Sequence, residues 1–166
     1  MRPRLKVRLK ADRLLTLRKV KEPGRKEDAY DLNRFISAQE SDYEQALSEI
    51  KDGRKRSHWM WYIFPQIDGL GSSAMSRRYS IKSLDEARAY LDHPVLGTRL
   101  TACFEVLLKL EGRSAEEIFG FTDEKKLRSC ATRFAAVSEP ASVFQRLLDK
   151  YFHGERDPMT LRLLSA

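Results

Sequence analysis

Long apolar runs are missing from this chain. The longest, Trp59 to Phe64, is six residues, against the ~20 that a bilayer-crossing helix requires. No membrane partner is therefore expected. Nothing resembling a secretion signal follows Met1-Arg2-Pro3-Arg4, because no apolar stretch of the necessary length stands there. Cysteine is scarce: Cys103 and Cys130 are the only two. That is too few for a disulfide framework, and they do not form a Cys-x-x-Cys pair. His58, His93 and His153 lie far apart without His-x-x-x-His spacing, so no metal site is expected. There is no Gly-x-Ser-x-Gly elbow, and Gly69-x-Gly71 lacks both the third glycine of a dinucleotide fingerprint and the Lys-Ser/Thr ending of a P-loop. No cofactor is expected on these grounds.

What charge excess the chain has is confined to one end. Residues 1–28 hold eleven Lys and Arg against four Asp and Glu, which accounts for the whole net charge of +7. The remainder is neutral. This segment interleaves Leu and Val with basic residues and then runs through Glu22-Pro23-Gly24 to Asp28. It reads as a basic, disordered extension or an over-long gene start. Its alternative role is an arm for nucleic acid, since clustered Lys and Arg release counterions when they meet phosphates.

From about Asp31 the pattern turns to helical punctuation. Ser41-Asp42-Tyr43-Glu44, Ser83-Leu84-Asp85-Glu86 and Ser114-Ala115-Glu116-Glu117 each place a serine three residues ahead of a glutamate, the capping-box spacing. Leu96, Leu100, Cys103, Phe104, Leu107 and Leu108 form an apolar stripe behind Pro94, which is expected at the first helical position. Further stripes follow: Leu127, Cys130, Ala131 and Phe134; then Val143, Phe144, Leu147, Leu148, Tyr151 and Phe152. Asp157-Pro158 reads as a cap and first residue of a last short helix. Period-two alternation is absent from this part of the chain, so the expected fold class is all-α: one compact multi-helix domain with short loops. The cysteines fall on apolar stripes and read as buried, reduced thiols of a cytoplasmic protein. Asp123, Lys126 and Arg133 read as a solvated charged face.

Ser57 to Gln66 is apolar on every side and is expected to be a short, enclosed helix. Unusual residues concentrate from here to Tyr79. On the core reading, Trp59, Trp61 and Phe64 fill the interior and a serine caps a helix after the glycines. On the functional reading, Gly69, Gly71 and Ser73 present backbone N–H groups to an anion, and Arg77 and Arg78 add bidentate contacts. Trp59, Trp61 and Tyr79 stack a flat ring beside Gln66, and His58 carries the proton if catalysis occurs.

Ser57-His58-Trp59-Met60-Trp61-Tyr62-Ile63-Phe64-Pro65-Gln66 with Gly69-Leu70-Gly71-Ser72-Ser73 resembles the signature of the bacterial domain-of-unknown-function family numbered 1810, whose members are often labelled calpastatin-like. Ala89 to Leu100 is similar to its second motif, and Ile118-Phe119-Gly120, Asp123, Leu127, Asp157 and Thr160-Leu161 are similar to later landmarks. The likeness runs from about residue 30 to 166 and implies a mostly helical, cytoplasmic bacterial protein. A looser likeness in size and helical build connects the chain to small domains proposed to act on ADP-ribose and related N-glycosides. The leading expectation is a domain that binds a small, anionic, flat ligand, a nucleotide or ADP-ribose-like compound, with or without turnover. The alternatives are a non-catalytic protein-interaction module and nucleic-acid binding through residues 1–28.

Overall fold

The computed structural model describes residues 28–166; the basic segment and its proposed nucleic-acid role lie, but for Asp28, outside them. Among the described residues the chain forms helices and no strands. They are α1 (Asn33–Lys51), α2 (Met60–Ile63), α3 (Ala74–Arg78), α4 (Leu84–Asp92), α5 (Leu96–Lys109), α6 (Ala115–Phe119), α7 (Phe121–Ala135), α8 (Val143–Phe152) and α9 (Pro158–Ser165). The all-α expectation holds. An isolated parallel bridge joins Ile67 to Ile81, with Ile81 N–H donating to Gln66 O at 2.7 Å and Asp68 N–H donating to Ile81 O at 2.9 Å.

Helix α5 is the central element, packed on α1, α4 and α8, while α7 packs on α6, α8 and α9. Aromatic rings run through the interior as one connected series: Phe35 against Tyr90 at 5.1 Å, Tyr90 against Phe134 at 5.4 Å, Phe134 against Phe144 at 5.5 Å, and Phe144 against Phe104 at 4.8 Å. Phe104 meets Phe64 at 5.6 Å, and Phe64 meets Trp59 at 6.1 Å. Tilted and edge-on pairs of this kind add ~0.5–1.5 kcal/mol each beyond area burial. Within the all-apolar segment only Met60–Ile63 is helical, the short helix α2, with Met60, Tyr62 and Ile63 buried but Trp61 half-buried. Cys103 and Cys130 are free and buried. Burial pushes the Cys103 thiol up to about 12, and Cys130 well above its ordinary value.

The serine signals divide. Ser114 makes the full reciprocal capping box with Glu117. Ser83 caps α4 by accepting from Glu86 N–H at 3.0 Å, but the Glu86 carboxylate turns instead to Arg34 and Lys82. Ser41 caps nothing. Helix α1 begins at Asn33, because the carboxylate of Asp28 accepts from Leu32 N–H at 2.7 Å and Asn33 N–H at 2.9 Å, and Ser41 falls mid-helix with its hydroxyl on Asp42. Pro94 is not the first residue of α5. It stands in the preceding turn, where His93 Nδ1 accepts from Val95 and Leu96 N–H.

Asp157-Pro158 opens α9 as the pattern indicated. The Asp157 carboxylate accepts from Thr160 N–H at 2.7 Å and Thr160 Oγ1 at 2.6 Å, and the Thr160 hydroxyl lies 2.8 Å from that of buried Ser129 on α7. Asp157→Ala therefore removes a cap and takes from the buried Thr160 hydroxyl one of its two partners. We expect a loss of about 1–2 kcal/mol, read as a lower urea midpoint with an unchanged slope.

Candidate functional site

The residues singled out between His58 and Tyr79 take up different surroundings in the fold. Trp59 is only 1% exposed, and its Nε1 donates to Glu49 Oε2 at 2.7 Å. Trp61 is half-buried under Lys126, whose Nζ sits 4.8 Å from the ring centroid. His58 is exposed, and its carbonyl accepts from Tyr62 OH at 3.4 Å. Gln66 contributes its carbonyl to the Ile81 bridge. Gly69 has a left-handed φ of +89° and rests against Leu163 of α9. Gly71 meets the Ser76 side chain, and Ser73 caps the five-residue α3. Arg77 folds back on Ser72 O. Arg78 Nε donates to Tyr79 OH at 3.3 Å, and Tyr79 packs on Phe35 and Tyr62. Arg78 and Tyr79 are thus together, whereas no hydrogen bond among the described residues joins His58 to either arginine.

The charged face assigned to α7 also needs correction. Asp123 and Lys126 are largely shielded: Asp123 pairs with Lys55 at 2.9 Å and with Lys126 at 3.1 Å, and the two lysines lie over Trp59 and Trp61. Arg133 is not solvated at all. It is 2% exposed. The last two turns of α7 are buried nearly all round, from Ser129 to Ala135, because α8 and α9 cover different sides of them.

Arg133 is the unusual group of the structure. Its Nε and Nη2 are buried, and among the described residues no group accepts from either. Burial pulls its pKa below the ordinary guanidinium value, and the carboxylate of Glu86 partly offsets that effect. Glu86 makes no hydrogen bond to Arg133 and is engaged elsewhere. Its Oε1 accepts from Arg34 Nη2 at 2.6 Å and its Oε2 from Lys82 N–H at 2.7 Å. Arg34 is in turn saturated by the carbonyls of Tyr30, Asp31, Arg78 and Ser80. Thus two arginines approach one carboxylate and only one is paired with it. An uncompensated buried cation is expensive, and in native proteins such a group calls for an explanation.

Arg133 lines a cleft of about 270 Å³. Ile67 and Asp68 wall it on one side, Lys82, Ser83 and Leu84 at the start of α4 on another, and Leu163, Leu164 and Ala166 of the α9 end on a third. No aromatic side chain belongs to the lining, and polar groups dominate its open surface. Among the described residues, no three His, Cys, Asp or Glu side chains converge in a way that could hold a metal ion. The chemistry available is that of an anion seat: a fixed guanidinium, a lysine, and the opening turn of a nine-residue helix whose dipole favours negative charge. Arg133 was missed because its chain position lies just beside the Leu127–Phe134 stripe, where a lone arginine reads as the polar border.

The chain matches the family described as Protein of unknown function (DUF1810) over residues 29–164. It belongs to that family. It is also similar to a solved structure, the conserved hypothetical protein Rv1873 from Mycobacterium tuberculosis, with 47% identity and a TM-score of 0.82 over 84% of this chain and 99% of that one. No curated protein matches the chain. Among the described residues, no helix of this DUF1810 domain is long and apolar enough to cross a membrane.

Proposed function

We propose that this DUF1810 domain binds a small anionic ligand in the cleft between Asp68, the start of α4, α7 and the end of α9. The observation that carries this reading is Arg133: a guanidinium 2% exposed, with two N–H-bearing atoms unpartnered, in the wall of that cleft. Retaining such a group lowers stability, and a bound oxyanion would supply the missing acceptors. The reading keeps the anionic ligand expected from the sequence and moves its anchor from Arg77 and Arg78 to Arg133. The nucleotide or ADP-ribose version is less well supported, since the cleft offers no ring to stack on and lies below the roughly 300–1,000 Å³ typical of ligand pockets. The two buried reduced thiols support a cytoplasmic setting.

Thermal-shift measurements with phosphate, AMP, ADP-ribose and short carboxylic acids test the proposal. A ligand held at 100 times its Kd stabilises the fold by ~2.7 kcal/mol, a rise of several degrees for a domain of this size. Arg133→Met keeps the length of the side chain and removes its charge. It is expected to abolish the ligand shift while leaving the unliganded Tm equal or higher, as replacement of buried charge by apolar atoms commonly does. If no anion shifts the wild-type protein, or if Arg133→Met responds fully, the proposal fails.

A further inference from the structure

The charges around the cleft narrow the class of ligand, on the premise that the cleft is the site proposed above. Arg133 and Lys82 supply two positive charges and Asp68 one negative charge. A doubly charged phosphate would meet an opposing carboxylate inside a small cleft, whereas a single carboxylate can lie against the two cations and leave Asp68 to a donor on the same molecule. Asp68 also has unused capacity. Its Oδ1 accepts from Ser80 Oγ at 2.7 Å, and no group among the described residues donates to its Oδ2. Ile67, Leu84 and Leu163 limit the remaining wall to aliphatic contact.

We infer that the ligand is a compact aliphatic acid carrying a hydrogen-bond donor next to its carboxylate: an amino acid or a hydroxy acid. The carboxylate sits against Arg133 and Lys82, and the ammonium or hydroxyl donates to Asp68 Oδ2. Ligands of both kinds share the acid group and the adjacent donor, and differ in whether that donor is charged.

Calorimetric titration of the full chain with L-serine, lactate, propionate, phosphate and AMP tests the inference. Serine or lactate is expected to bind at least about tenfold more tightly than propionate, which lacks the donor, in line with one hydrogen bond to a charged group. Asp68→Asn preserves an oxygen for Ser80 but places an N–H where the ligand donor must be accepted. It should erase the preference for serine or lactate, while propionate, no longer facing the Asp68 carboxylate, binds as well or more tightly. Serine binding alone identifies the amino-acid arm, and lactate binding alone the hydroxy-acid arm. If propionate binds as well as both, if phosphate or AMP binds more tightly than either, or if Asp68→Asn has no effect, the inference is overturned while anion binding at Arg133 stands. If none of the five binds, the inference falls. The wider anion proposal falls with it only when ADP-ribose and the remaining carboxylic acids of the thermal-shift series also fail.

Discussion

Glu49→Ala is expected to cost about 3–5 kcal/mol, a large share of the stability of an ordinary domain, even though Glu49 forms no ion pair among the described residues. The carboxylate is 4% exposed near the end of α1. It accepts from Arg56 N–H at 3.0 Å, Ser57 N–H at 3.2 Å, Ser57 Oγ at 2.6 Å and Trp59 Nε1 at 2.7 Å. One side chain therefore organises the turn between α1 and α2 and seats an indole in the aromatic series. Truncation leaves an indole N–H and two backbone N–H groups without an acceptor, each costing ~1–3 kcal/mol where it is buried. Urea denaturation would show the loss as a lower midpoint.

The same residue shapes the acid limb of stability. Burial alone would raise the Glu49 pKa, but the hydrogen bonds from Ser57, Arg56 and Trp59 outweigh it and hold the carboxyl at about 2, below its ordinary 4.5. Since the folded value is depressed, the contribution is complete above pH 4.5. It is lost as the pH falls towards 2. Glu49→Gln, which cannot titrate, should flatten the profile of Tm against pH in that window and leave its shape above pH 5 unchanged. An equally steep acid limb in the variant would show that other carboxylates govern it.

A single methyl group should do comparable damage elsewhere. A Cβ added at Gly97 would stand 1.9 Å from the carbonyl oxygen of Leu91 and 2.7 Å from its carbon. These are backbone atoms at the end of α4 and cannot rotate aside, so the start of α5 must retreat from α4. Gly97→Ala is expected to destabilise by about 3 kcal/mol or more, the upper end of overpacking effects, although alanine is the better helix former by ~1 kcal/mol. Chemical denaturation gives the sign directly. A variant as stable as wild type would show that the two helices are not fixed at this separation.

How much of this was legible beforehand follows from the range of each interaction. Ser83, Ser114 and Asp157 act within three residues of themselves, and their caps were readable. So were the stripes of α5 and α8, which need only an apolar neighbour. Ser41 has the same local signature and fails, because Asp28 nucleates α1 further upstream and helix formation then continues through it. Glu49 and Arg133 were invisible for a different reason. Their significance lies in which partners meet them or do not, and neither partnership is encoded in a period or a spacing. The grouping of His58, Trp59, Arg77 and Arg78 rested on closeness along the chain. Folding sends the indole to the interior and Arg77 back to its own turn, while the cleft collects Asp68, Lys82, Arg133 and the end of α9 from four separate stretches.

The bridge between Ile67 and Ile81 has a consequence for change over time. Its two hydrogen bonds fasten both ends of the segment that carries α3, and α3 itself buries none of its residues. Closing a loop costs little more as the loop grows, ~0.6 kcal/mol per doubling of length. Extra residues inserted after Ser73 should therefore cost the fold little while the clasp beneath them holds, although Gly69 with its left-handed φ and Gly71 against Ser76 must keep their places. The segment lies beside one wall of the Arg133 cleft, so drift in this appendage can alter what reaches the cleft and leave the helical body as it was.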